Sequence, residues 1–315
     1  MIKRAKNPLG LSRVKNVLPY MYLLPLALSA VVFSLYPIIN AFITSLKEDY
    51  AIISDTYSGL GFSNFKQVLQ NEYFLQAARN TMLYALTMVP LTIGISLILA
   101  AALNRKLRMT PVFQVFLFLP FVTSATAIGY AWRYIFHYNY GIVNYFLQKL
   151  SLEPINWLGS TEASLFMLCI FGVWINIPFT TIIFLSSLQS IDNRLFTIAR
   201  IDGATSTKAF GKITVPLMLP TILVMTLLNS IKALQVFDEL FPLFLGKPGP
   251  YYNLYTVVYY IFEQLRGSNR YGFGRAAAVA VLLFLSTTIV LLAVFLVRKI
   301  FLFMRYGDEK KQSVR

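Results

Sequence analysis

The 315-residue sequence holds a single cysteine, Cys169, and a single histidine, His137. That scarcity excludes a disulfide framework and any zinc site built on His and Cys. Charge is also sparse: 13% of residues are Asp, Glu, Lys or Arg, against about a quarter in an ordinary soluble domain. Acids are the rarer sign, 13 against 28 bases, for a net charge of +15. Such a basic balance would suit nucleic acid if the bases lined one soluble face. They lie instead in short segments between apolar runs, which argues against a nucleic-acid partner. No G-x-x-x-x-G-K-S/T phosphate loop occurs, so the chain does not energise a process with ATP by itself.

What the sequence has in abundance is hydrocarbon: 57% hydrophobic residues, 15% aromatics and a mean hydropathy of +0.62. A membrane-spanning helix needs roughly 20 mainly apolar residues, and such runs recur over most of the chain. The expected fold class is an all-α polytopic membrane protein with six transmembrane helices, at about 19–46, 77–103, 111–136, 162–188, 217–245 and 275–303. The first run is too long for the apolar core of a signal peptide, so it is expected to be a retained span. Cys169 falls inside the fourth run, where a small buried residue is expected.

Lys and Arg sort by alternate sides. Eighteen fall in 1–17, 104–110, 189–216 and 298–315, six in the intervening loops, and Arg79, Arg133, Lys232 and Arg275 in or at the ends of spans. Basic residues are retained on the cytoplasmic side. The sequence therefore divides into a basic cytoplasmic N-terminus (1–18), a transmembrane domain (19–303) with a cytoplasmic loop at 189–216, and a cytoplasmic tail (304–315). The opposite loops carry acids (Glu48, Asp49, Asp55, Glu72) and aromatics (Tyr138, Tyr140, Tyr145, Trp157, Tyr251, Tyr252, Tyr255, Tyr259, Tyr260, Tyr271). Interface anchoring is the ordinary use of such aromatics, ligand contact the alternative. Arg133 and Arg275 are expected to snorkel toward headgroups.

The 189–216 loop is polar and turn-rich. Asp192 and Asn193 can cap a short helix through Leu195, Phe196 and Ala199, and Asp202-Gly203 signals a turn. Thr205 or Ser206 can cap a second short helix, 207–214, presenting Phe210 and Ile213, which Pro216 and Pro220 would end. The residues alone leave two readings open: a hairpin that docks on a partner, or one that lies on the headgroups.

The spacing Asp202, Gly203, Ala204, Phe210, Ile213, Pro216, Pro220 resembles the EAA loop of importer permeases of the ATP-binding-cassette class. LPYMYLLPLALSAVVFSLYPIINAFITSL, FLFLPFVTSATAIGYAWRYIF, INWLGS, LQSIDNRLFTIARIDGA and YGFGRAAAVAVLLFL resemble its sugar branch, the maltose-transporter-like first permease subunit. The resemblance covers nearly the whole chain. One departure stands out: where the family has Glu-Ala-Ala, this chain has Thr197, Ile198 and Ala199, so an ion pair from the missing acid is not implied.

The resemblance implies a permease subunit of an ATP-driven, binding-protein-dependent sugar importer, half of a path with alternating access, in a bacterial or archaeal plasma membrane. It implies a second homologous permease, two cytoplasmic ATPase subunits that bind the ATP and Mg²⁺, and an extracytoplasmic sugar-binding protein, with no cofactor in this chain. Membrane lipid surrounds it. The loop residues Thr197, Ala199, Asp202, Gly203, Ala204, Phe210, Ile213 and Pro216 would dock the ATPase.

Polar groups inside spans mark pathways. Gly172, Trp174 and Asn176, then Asn229, Lys232, Gln235 and Asp238, are the candidates, since sugars need hydrogen bonds and aromatic stacking; amides that glue helices together are the alternative. Lys232 would also suit an importer of an anionic solute such as glycerol phosphate. A secondary transporter driven by ions would call for inverted repeats and a midplane carboxylate, and neither is apparent.

Overall fold

A computed structural model describes residues 11–104, 110–266 and 272–312. The expected basic segment ahead of residue 11, the bases Arg105, Lys106, Arg108 and Arg270, and Tyr271 lie outside the described residues, as does the end of the tail. Five helices are long and apolar enough to cross a membrane: Tyr20–Leu46, Glu72–Leu103, Thr161–Gln189, Ser206–Leu234 and Gly272–Ile300. They correspond to the expected spans 1, 2, 4, 5 and 6. The sixth helix continues to Gln312, so tail residues 304–312 extend the last span.

Span 3 differs from its expected form. Two helices, Pro111–Val122 and Thr126–Ile135, meet at 105° instead of forming one rod. Pro120 removes a backbone donor and crowds the preceding turn. Thr123 then folds its hydroxyl back onto the Leu119 carbonyl at 2.7 Å, and Ser124 turns extended at ψ 126°. The helix stops within a turn of its proline.

Span 5 also departs from expectation, at both ends. Pro216 and Pro220 do not stop a separate short helix: residues 206–234 are continuous. A widened turn over Phe210–Thr214, closed by the Val215 amide on the Phe210 carbonyl, absorbs the misfit of Pro216. At the other end the helix finishes at Leu234, not at 245. There the Thr256 hydroxyl caps the Val236 carbonyl at 2.9 Å, so a neighbouring loop takes over where the ladder ends.

Spans 2 and 4 form the spine. Their N-termini share one end, since residues 75–83 and 161–165 line one cavity, and they pack side by side along their lengths. They meet tightly at Gly172, where a Cβ would collide with the Tyr84 hydroxyl and ring. Overpacking of this kind costs about 1–3 kcal/mol or more. Gly172→Val is therefore expected to lower the melting temperature of the purified protein in detergent, while Gly94→Val, where nothing lies within 4 Å of a Cβ, leaves it near wild type.

The aromatics of the loops opposite residues 189–216 divide between the protein interior and its surface. Trp157, Tyr255, Tyr259 and Tyr260 are buried. Asn144 ties its loop together, accepting from the Trp157 indole at 2.9 Å and donating to the Tyr138 and Ile155 carbonyls. Tyr255 donates to Glu263 at 2.6 Å, and burial with that carboxylate pushes its phenol above the ordinary pKa. Tyr138, Tyr140, Tyr145, Tyr251 and Tyr252 are exposed, as interface anchors would be. Arg133 does not snorkel: its guanidinium donates to the Leu243 carbonyl at 3.0 Å. Arg275 is half-buried, with its Nε enclosed.

Span 1 is exposed on every side from Tyr20 to Leu35. An apolar helix with no protein around it belongs in lipid or against a second membrane protein.

Candidate functional site

Two places gather the residues that sequence reasoning singled out. The first is the elbow of span 3. Irregular backbone at membrane depth is tolerated only where it is buried in protein or lines a water-filled cavity, and here a cavity of about 340 Å³ opens against the break. Its walls include Pro120 and Thr123 from span 3 with Trp174, Ile177 and Pro178 from span 4.

Beside it, Lys232 donates to the Asn176 Oδ1 at 3.4 Å and sits 5.4 Å from the Phe179 ring centroid. Phe179 in turn stacks on Phe121 at 5.6 Å. Trp132, just past the elbow, lies 5.2 Å from Trp174. Three spans thus bring together a cation, an amide and flat aromatic faces next to one cavity. Lys232 forms no ion pair with Asp238 or Glu239: among the described residues the one ion pair is Lys47–Asp55 at 3.6 Å.

The remaining path candidates scatter. Asn229 is 2% exposed and donates to Thr180 at 3.2 Å and to the Met225 carbonyl at 2.9 Å, which places it in the seam between spans 4 and 5. Gly172 lies under Tyr84 and lends its carbonyl to the Asn176 amide at 2.8 Å. Gln235 and Asp238 are exposed beyond the end of span 5, off the helix that carries Asn229 and Lys232. Sequence reasoning missed Phe121, Trp132 and Phe179. Pro120 followed by Thr123-Ser124 was the available signal for the break that positions them.

The second place is the 189–216 loop. Asp192 caps a short helix, Asn193–Ile201, accepting from the Arg194 amide at 2.9 Å. Its far end closes in a Schellman motif: the Ala204 amide reaches the Ala199 carbonyl at 2.8 Å and the Gly203 amide reaches Arg200 at 3.0 Å. Gly203 takes φ +73° there, with nothing within 4 Å of a Cβ. Thr205 then caps the start of span 5 on the Lys208 amide at 3.3 Å.

Thr197 is exposed and turns its hydroxyl onto the Asn193 carbonyl at 3.2 Å. Asp202 is exposed, Ala199 is buried, and Ala204, Phe210, Ile213 and Pro216 are half-buried. The exposed apolar face is carried by residues outside the expected docking set: Leu195, Ile198 and Ile201, three apart, at 41%, 55% and 80% exposure. Their i, i+3, i+6 spacing was legible, and it puts them on one side of the helix.

Because the space around Gly203 is open, a substitution there acts through the backbone alone. Gly203→Asn, which tolerates the left-handed region, is expected to keep the protein's activity near wild type. Gly203→Val, for which that conformation is a true outlier, should impair activity without reducing the amount of protein in the membrane.

Residues 92–302 match the family described as the inner membrane component of binding-protein-dependent transport systems. The chain belongs to this family. The permease is 32% identical over 278 residues to the trehalose/maltose transport system permease protein of Thermococcus litoralis, covering 88% of this chain and 93% of that one. It is 32% identical over 271 residues to the arabinooligosaccharides transport system permease protein of Bacillus subtilis, covering 85% of each. The lactose transport system permease protein of Rhizobium radiobacter is 32% identical over 257 residues, 81% of this chain and 85% of that one.

In fold, the permease resembles a chain in the crystal structure of a bacterial alginate ABC transporter in complex with alginate pentasaccharide-bound periplasmic protein. The TM-score is 0.77 at 23% identity, over 91% of this chain and 96% of that one.

Proposed function

We propose that the permease imports a sugar or oligosaccharide with energy from ATP hydrolysed by a partner. The observation that carries the sugar reading is the elbow cavity, walled by Trp174 and Thr123, with the Lys232–Asn176 contact and the Phe179 ring beside it, so that aromatic faces and hydrogen-bonding groups lie close together. The names of the relatives support it, since trehalose/maltose, arabinooligosaccharides and lactose are all carbohydrates.

On this reading the 189–216 loop and both termini are cytoplasmic, supported by the distribution of Lys and Arg. The apolar face of Leu195, Ile198 and Ile201 is the part of the loop that enters a cleft of a cytoplasmic ATPase. Apolar contact would then do the work of the acid that Thr197 replaces. The complete importer contains a second homologous permease, two ATPases that bind ATP and Mg²⁺, and an extracytoplasmic sugar-binding protein. This chain holds no cofactor of its own. Closure of the ATPases on ATP would favour one of two arrangements of the spans, exposing the cavity alternately to each side.

A second reading, an anionic solute such as glycerol phosphate, is favoured by Lys232 alone. Uptake in proteoliposomes holding the reconstituted importer separates the two. Accumulation of labelled di- or oligosaccharide, uncompeted by glycerol phosphate, supports the sugar reading; accumulation of glycerol phosphate with indifference to sugars overturns it.

A further inference from the structure

Apart from the elbow, a groove of about 460 Å³ lies where the N-terminal parts of spans 2 and 4 meet the 250–254 turn. We propose that this groove is a phospholipid site, selective for a zwitterionic lipid whose headgroup carries a primary ammonium.

Depth is the first argument. Span 2 has 32 residues, so it is about 48 Å long, roughly 18 Å more than the hydrocarbon layer. Arg79 lies about 10 Å from its N-terminus at 1.5 Å per residue, which sets it at headgroup level, on the face opposite the 189–216 loop. Glu162 is in the first turn of span 4 and lines the same groove.

Charge is the second. Arg79 and Glu162 are both exposed and neither has an ion-pair partner among the described residues. A guanidinium suits the lipid phosphate, with its fork of donors; a carboxylate suits an ammonium. Leu75 and Leu83 are 52% and 41% exposed and with Leu165 give the groove an apolar floor, fit for the start of an acyl chain.

The third argument is an orphan. Asn253 is 8% exposed and lines the groove. Its Nδ2 donates to the Thr161 carbonyl at 2.9 Å and to Ser164 at 3.3 Å, which fixes the amide's orientation. Gln76 and Asn80 donate to its backbone carbonyl at 3.1 and 2.7 Å. Its side-chain Oδ1 is left enclosed with no donor. A buried acceptor without a partner is costly, and a small opening of the 250–254 turn around the headgroup would let an ammonium held at Glu162 supply the missing hydrogen. A trimethylammonium carries no such hydrogen, so a choline headgroup would leave the orphan unsatisfied.

The test is lipid retention by the purified full-length protein, equilibrated with vesicles of equal parts phosphatidylethanolamine, phosphatidylcholine and phosphatidylglycerol and read by native mass spectrometry. Phosphatidylethanolamine should be retained preferentially. Glu162→Gln should reduce that preference by about tenfold, the worth of one charge-assisted hydrogen bond, and Arg79→Gln should weaken retention of all three lipids. A photo-reactive side chain at Leu83, in otherwise wild-type protein, should label lipid. Equal retention of the ethanolamine and choline lipids, an unaltered preference in Glu162→Gln, or labelling of a second protein at Leu83 instead of lipid would each overturn the proposal.

Discussion

Ile198→Asp is expected to abolish ATP-driven uptake while the variant still inserts and purifies like wild type. Ile198 is 55% exposed in the middle of a short capped helix, between Leu195 and Ile201, so no core packing is lost. If this face sits in an apolar cleft of the ATPase, the aspartate would be buried there without a partner. A buried, unpaired carboxylate costs several kcal/mol, which lowers affinity by more than about a hundredfold. Co-purification with the ATPase and stimulation of its hydrolysis should fall together. Thr197→Glu restores the acid found in related loops, and because Thr197 is exposed and bonded only to its own helix, it should change affinity far less. An Ile198→Asp variant that retains both complex and transport would remove the apolar face from the docking account.

The second large effect is expected at Lys232. A cation within a span is costly unless it borders water or a partner. Here its contacts are the Asn176 amide at 3.4 Å and the Phe179 ring, beside the elbow cavity. Lys232→Met keeps length and apolar stem but removes the three donors. If the ammonium hydrogen-bonds the passing substrate, uptake should fall by about ten- to a hundredfold, the worth of one to two charged hydrogen bonds. Stimulation of the ATPase by the loaded binding protein should persist, because the docking helix is untouched. Loss of both activities together would mean that Lys232 holds the spans in place and does not meet substrate.

How much of this was legible beforehand varies with the physics involved. The spans were readable because twenty apolar residues have few alternatives to a membrane helix, and Gly203 because Asp-Gly before a capping residue leaves little choice of turn. The break of span 3 was harder. Pro120 alone is compatible with a mild kink; the 105° bend depends on Thr123 capping backward and on span 4 packing opposite. The end of span 5 was illegible in its own residues, since the cap on Val236 comes from Thr256, twenty residues along the chain. Tertiary contacts likewise decided the fate of Asn229 and Gly172: either could have faced a pathway, but Thr180 and Tyr84 stand in the way. Buried tyrosines in the 246–266 region looked like interfacial anchors because composition cannot distinguish a lipid neighbour from a protein one.

The central claim is that ATP acts on this permease through the 189–216 loop from the cytoplasmic side. It is tested most directly in proteoliposomes of the assembled importer, with the sidedness of each vesicle population read by labelling Gln189→Cys, exposed at the loop end of span 4 and outside the docking helix, with a membrane-impermeant reagent. Sugar should accumulate only when ATP is on the side where that cysteine is labelled and the loaded binding protein is on the other. Accumulation driven by an ion gradient without ATP, or by ATP on the face opposite the loop, would contradict the account.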